Sequence, residues 1–116
     1  MKILKGLVAA FALTAGSNCL MASNANAAGN ITGHIVSMYG GWNVPMLRLV
    51  LDVPFSNPDG CSLTDGYEIA DTLAANQQFT SMAFLAFSTG NKVMITVSGC
   101  YQNRPSVIGM QVGGLS

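Results

Sequence analysis

His34 is the one histidine of the chain and the first candidate for chemistry, because a neutral imidazole can act as a general base. That role needs a nucleophile and an orienting acid within hydrogen-bond reach. No G-x-S-x-G segment supplies them. Residue alternation places His34 on the same side of a strand as Thr32, Val36 and Met38. We therefore expect an ordinary strand histidine in a protein that is not an enzyme.

Four acidic residues, Asp59, Asp65, Glu68 and Asp71, lie close together in the sequence. Calcium takes several oxygen ligands, but this spacing does not match the EF-hand loop. A carboxylate pair for glycoside hydrolysis would come from the same group, and no suitable separation is evident. We expect a solvated acidic face, with no metal and no cofactor.

An aromatic turn offers a better candidate for binding. Trp42 follows Gly40-Gly41 and precedes Asn43, and Tyr39 lies just before the two glycines. An exposed aromatic ring stacks on a sugar, and polar neighbours take its hydroxyl groups. Trp42, Tyr39 and Asn43 are therefore candidate ligand-binding residues, unless Trp42 folds back to cover the end of a barrel.

Residues 1–27 are typical of a secretory signal peptide. Two lysines flank the start of an apolar run, and Ala25-Asn26-Ala27 gives a small-x-small cleavage site. No later apolar run reaches the roughly 20 residues that a membrane span requires. We expect a single domain over 28–116 that is secreted or periplasmic and has no membrane span.

Two cysteines, Cys61 and Cys100, remain beyond the signal peptide, and Cys19 lies within it. In an exported domain such a pair predicts one disulfide. Beyond residue 27 the chain has three basic and five acidic residues. Nucleic-acid binding normally needs a basic face, so we do not expect a nucleic-acid partner.

The order of the predicted elements indicates the fold class. Alternating and β-branched segments predict strands over 30–39, 46–53, 66–70, 92–98 and 106–112, with a helix between Asn76 and Gly90. One helix between the third and fourth strands matches a small OB-like five-stranded barrel. A two-layer α+β sandwich is the alternative.

The predicted helix has no charged residue and is apolar nearly all round. We expect Asn76 to be its N-cap, and Gly90 to end it. The expected core face comprises Phe79, Met82, Ala83, Ala86 and Phe87. Away from that face lie Phe84, Leu85, Ser81 and Ser88, which are candidates for an oligomer interface. The helix is either buried on several sides within its own domain or packed against a neighbouring subunit.

The segment Ala86-Phe87-Ser88-Thr89-Gly90-Asn91-Lys92-Val93, followed by Ile95 and Val97, resembles B subunits of five-subunit bacterial toxins. The subtilase-cytotoxin and typhoid-toxin-like branch is the most similar. This resemblance implies an OB-fold in a ring pentamer, with helices lining the pore and glycans bound on the outer faces.

These observations favour an exported, non-enzymatic binding module that resembles a toxin B subunit. It would form an oligomer with copies of itself and recognise a glycan or an exported protein. The alternative is a monomeric periplasmic protein with a structural or inhibitory role. In that alternative, Phe84 and Leu85 belong to the protein's own core.

Overall fold

The computed structural model describes residues 28–41 and 43–115. The elements in chain order are β1 Ala28–Gly33, β2 Ile35–Gly41, β3 Val44–Leu51, β4 Tyr67–Ile69, α1 Asn76–Thr89, β5 Val93–Tyr101 and β6 Arg104–Val112. The described part is mainly β with one helix, as the sequence predicts. Trp42 and the predicted signal peptide over 1–27 lie outside the described residues.

The six strands form one sheet in the order β1-β5-β6-β4-β3-β2. All neighbours are antiparallel except β4 and β6, which share a single parallel bridge between Glu68 and Ser106. No hydrogen-bonded pairing joins β1 to β2 in the described chain, so the sheet is not closed into a barrel. The mainly β class is confirmed, whereas the closed five-stranded barrel is not found.

The predicted first strand is divided in two at His34. Its backbone N–H donates to the Asp52 carboxylate over 2.8 Å, and its carbonyl oxygen accepts from the Asp52 N–H over 3.0 Å. The chain therefore changes partners at this residue: β1 pairs with β5, and β2 pairs with β3. This change accounts for six strands where five are predicted.

Residue alternation on the central strands is confirmed. On β3 the leucines at 47, 49 and 51 are buried, and on β5 Val93, Ile95 and Val97 are fully buried. These two sets meet Tyr67 and Ile69 of β4 and Val107 of β6 in one hydrophobic core. A period of two residues puts one side of each strand on that core.

Helix α1 covers one side of the sheet, in contact with β2, β3, β4 and β6. Phe79, Ala83 and Ala86 face the core as predicted, but Phe87 is exposed. Phe87 lies about 80° around the helix from Phe79 at 100° per residue, which brings it to the edge of the contact. Gly90 ends the helix with φ of 73° in the left-handed region, also as predicted.

Candidate ligand-binding cavity

A cavity of about 500 Å³ lies between the β2–β3 turn and the first half of α1. Its sheet side is formed by Gly41, Val44, Pro45, Met46 and Leu47. Pro45 lies within β3, although a proline is expected to be excluded from a central strand. It is exposed and sits near the start of the strand, where a missing N–H costs little.

The helix side of the cavity is formed by Asn76, Gln77, Thr80, Ser81 and Phe84. Four of these side chains are polar, and they follow one flank of a helix that is otherwise largely apolar. None was identified as a ligand-binding residue from the sequence. Their spacing could have identified them, because residues three and four positions apart lie on the same face of a helix.

Asn76 joins the two sides of the cavity. Its side-chain amide donates to the carbonyl oxygen of Pro45 over 2.7 Å and to that of Ala70 over 2.9 Å. The prediction that Asn76 caps the helix is wrong, because Ala75 occupies the N-cap position without a side-chain hydrogen bond. Instead, the Asn76 side chain ties the start of α1 to β3.

The predicted aromatic turn borders this cavity at Gly41. Gly41 and Val44 line the cavity, whereas Tyr39 and Asn43 do not. Tyr39 is exposed, and its ring centroid lies 4.2 Å from Cζ of Arg48. Asn43 is exposed with φ of 62°, a turn conformation that asparagine tolerates. The structure brings the predicted turn to the cavity without using these two side chains.

The four candidate interface residues of α1 are exposed. Phe84 is 49% exposed and Leu85 is 55% exposed. Around the helix axis, Ser81 and Ser88 lie between Phe84 and Leu85 on the same outer face. The hydroxyl groups of both serines donate to carbonyl oxygens of the helix. Burial of this helix on several sides within its own domain is therefore not found. Phe84 and Ser81 belong both to this outer face and to the cavity.

The prediction of a solvated acidic face is only partly right, because Asp59 and Asp65 are exposed but Glu68 is buried. The carboxylate of Asp65 accepts from Arg104 over 2.5 and 3.0 Å and from Arg48 over 3.0 Å. Glu68 is fully buried, and its Oε2 accepts from Arg104 over 3.3 Å. Among the described residues, no partner reaches Oε1 of Glu68. These four residues form a partly buried ion-pair network at the contact between β4 and β6, with Asp65 at its exposed end and Glu68 at its buried end.

The two remaining acids of the predicted cluster also have partners. Asp71 accepts a hydrogen bond from the hydroxyl group of Tyr101, which raises the pKa of that tyrosine. Asp59 accepts from the N–H of Gly99 over 2.5 Å. Within residues 28–41 and 43–115, no group of three or more histidine, cysteine or acidic residues is arranged to hold a metal ion.

Gly66 makes room for the ion-pair network. A Cβ atom at this position would lie 2.6 Å from Cγ of Arg48 and 3.0 Å from the carbonyl oxygen of Leu49. Its φ of 151° also favours glycine. The glycine therefore lets Arg48 reach Asp65 across the start of β4.

The free energy of unfolding of the native protein should decrease as the pH rises past the pKa of Glu68. We expect the variant Glu68→Gln to lack this decrease. Burial raises the pKa of Glu68 above its ordinary 4.5, so the folded protein holds this proton more tightly than the unfolded chain does. The free energy of unfolding therefore decreases as the pH rises from about 4.5 through the raised pKa. Glutamine has the same shape and does not ionise, so the variant should be at least as stable as the native protein at neutral pH.

Urea unfolding across this pH range measures the effect. Asp65→Asn is the control, because Asp65 contributes a pH dependence of the free energy of unfolding that is opposite in sign to that of Glu68. A hydrogen bond from Arg104 lowers the pKa of Asp65, so its contribution is present at neutral pH and is lost as the pH falls through the lowered pKa. A Glu68→Gln protein that is clearly less stable than native at neutral pH would contradict the assignment.

His34 lies beside an acid, but not in a cleft. Its Nδ1 is 2.9 Å from Oδ2 of Asp52, and both side chains are about two-fifths exposed. The hydrogen bond from the His34 N–H is the main reason that the pKa of Asp52 is lowered. Neither residue lines the cavity between α1 and the β2–β3 turn, and among the described residues no hydroxyl or thiol group is hydrogen-bonded to this pair. The pair holds the bend between β1 and β2.

The predicted disulfide is present. Cys61 and Cys100 are bonded, with their Cα atoms 5.8 Å apart and a sequence separation of 39 residues. The bond fastens the loop before β4 to the end of β5. Asn57 holds the same loop, because its side chain exchanges two hydrogen bonds of 2.8 Å with the backbone of Cys61.

In the part of the chain that the structure describes, the single helix is too short to cross a membrane. No protein-family model matches the chain, and no curated protein is significantly similar to it.

Proposed function

We propose that this chain is an exported, non-enzymatic binding module that recognises a glycan in the cavity between α1 and the β2–β3 turn. The observation that carries the proposal is the cavity itself, with its apolar sheet side and its polar helix side. Binding sites for small ligands are concave, mostly apolar and supplied with a few polar groups, and they span roughly 300–1,000 Å³. A cavity of about 500 Å³ fits that description.

The disulfide supports export. Structural disulfides persist in oxidising compartments and are rare in the cytosol. The bond between Cys61 and Cys100 thus agrees with the signal peptide predicted over residues 1–27. A secreted or periplasmic location follows as part of the proposal.

The outer face of α1 supports assembly with copies of the same chain. A solvent-exposed helix usually carries charged residues, but this one has none, and it exposes Phe84 and Leu85 instead. A neutral surface can meet an identical surface without repulsion between like charges. A stable interface buries about 800 Å² on each partner, so this face would be the centre of a larger contact.

These features support the resemblance to a toxin B subunit. The ends of the sheet, β1 and β2, are consecutive in the chain and meet at His34. The strands can thus be regarded as an OB-like barrel that is open at this bend. The monomeric alternative is less well supported, since it requires Phe84 and Leu85 to be core residues and both are exposed.

A glycan array tests the binding function. Protein purified after expression of the full chain is applied to an array of neutral and acidic glycans. We expect Thr80→Trp, which places a large ring in the cavity, to reduce binding by about tenfold or more, equivalent to about 1.4 kcal/mol. Thr32→Trp is the matched control, because Thr32 is exposed on β1 and does not line the cavity.

The array has clear negative outcomes. If the native protein binds no glycan, the proposed function fails. If Thr80→Trp binds as well as the native protein and Thr32→Trp, glycans bind elsewhere and the cavity is not the site. Circular dichroism of both variants confirms that the comparison is between folded proteins.

A further inference from the structure

The cavity between α1 and the β2–β3 turn carries no charge. None of the described residues that line it has an ionisable side chain. Arg48 follows Leu47 in β3, but its guanidinium group contacts Asp65 and the ring of Tyr39 instead. An ionised ligand in this cavity would lose hydration without gaining an opposite charge, which is costly. A neutral ligand has no such penalty.

Asn76 gives the cavity a hydrogen-bond acceptor. This residue is only 8% exposed, and both of its amide protons are donated to carbonyl oxygens. Those two acceptors fix the orientation of the amide, because only the nitrogen can donate. None of the described residues donates to Oδ1 of Asn76. Oδ1 of Asn76 can therefore accept a hydrogen bond from a hydroxyl or N–H group of a ligand.

The hydroxyl group of Thr80 and the amide of Gln77 add further polar groups on the same side. Across the cavity, Val44 and Met46 present apolar surface. A pyranose ring has the matching character, with C–H groups on its faces and hydroxyl groups around its edge. One ring can therefore contact both sides of the cavity.

An added peptide strand fits this surface less well. Strand addition depends on free backbone N–H and carbonyl groups at a sheet edge. Pro45 has no N–H, and its carbonyl oxygen already accepts from Asn76. At Pro45, the backbone of β3 therefore has no N–H group for a peptide strand, and its carbonyl oxygen already has a donor.

We propose that the cavity binds a neutral saccharide residue, such as a hexose or an N-acetylhexosamine, and rejects sialic and uronic acids. This inference rests on the proposed function and names the ligand class of the same site. The uncharged lining formed by the described residues sets the selectivity, and Asn76 and Thr80 supply the hydrogen bonds.

A titration with matched sugars tests the proposal. Methyl β-glucoside and methyl β-glucuronide share one ring and differ in the carboxylate, and methyl β-galactoside and N-acetylneuraminic acid extend the set. Amide chemical shifts of isotope-labelled protein report where each sugar binds. We expect the neutral sugars to shift the signals of Leu47, Gln77 and Thr80 in a saturable way, and the acidic sugars to leave them unchanged.

A variant then tests the role of the hydroxyl group. Thr80→Val keeps the shape of the side chain and should weaken binding of the neutral sugar about fivefold, the loss of one hydrogen bond. Thr32→Val, on β1 away from the cavity, should bind as the native protein does. Equal binding by all three proteins would overturn the assignment of Thr80.

The remaining outcomes separate this inference from the proposed function. If an acidic sugar shifts the cavity signals as strongly as its neutral counterpart, the selectivity is wrong and the binding function stands. If no sugar shifts them although the array shows binding, the cavity is not the saccharide site. If the array is also blank, both proposals fail.

Discussion

Replacing both Cys61 and Cys100 by serine is expected to lower the free energy of unfolding by about 4 kcal/mol. The disulfide closes a loop with a sequence separation of 39 residues, and the chain-entropy model gives about this value for such a loop. In a domain of this size, that loss corresponds to a fall in Tm of about 20 °C. Calorimetry on the purified protein measures it.

Asp59→Asn is the control for the disulfide variant. Asp59 holds the same loop through the N–H of Gly99, so its replacement weakens the attachment of the loop but leaves the disulfide intact. We expect a loss of about 1 kcal/mol. If the double serine variant melts no lower than Asp59→Asn, the disulfide is not a main source of stability.

Replacing both Phe84 and Leu85 by glutamate is expected to convert an oligomer to a monomer. Both side chains are about half exposed in the single chain, so the substitutions should leave the core and the circular dichroism unchanged. An interface centred on α1 would instead bury two charges per subunit without partners, which is strongly unfavourable. Light scattering after size exclusion gives the mass of each protein.

Val36 and Ile108 provide the matched control. They are apolar, 52% and 49% exposed, and lie on β2 and β6 rather than on the helix. Their double replacement by glutamate should leave the mass of the oligomer unchanged. A native protein that is already monomeric would contradict assembly. If only the control variant dissociates, the interface is formed by β2 and β6 and not by α1.

Periodicity predicts the parts of this fold that depend on neighbours in sequence. Strands with period two place Leu47, Leu49 and Ile95 on the core, and the structure confirms all three. The helix limits are also well predicted, because Gly90 provides a clear end signal. The division of the first strand at His34 is missed, since it depends on Asp52, a residue on a different part of the chain.

Contacts between distant residues explain the larger differences. The sequence predicts Glu68 on a solvated face, but the residue is fully buried, because Arg104 approaches from 36 residues away. The cavity depends likewise on Asn76, which reaches back 31 residues to Pro45. An asparagine at the start of a helix is usually its N-cap, which is a contact between neighbours in sequence. The side chain of Asn76 instead makes a tertiary contact with Pro45. The sequence nevertheless indicates the β2–β3 turn, and this turn borders the cavity.

Diffraction from crystals soaked in the glycan with the strongest array signal tests the central claim most directly. We predict electron density for a neutral sugar residue between α1 and the β2–β3 turn, within hydrogen-bond distance of Asn76 and Thr80. Density for the sugar at another surface, with none in this cavity, would contradict the claim that the cavity is the recognition site.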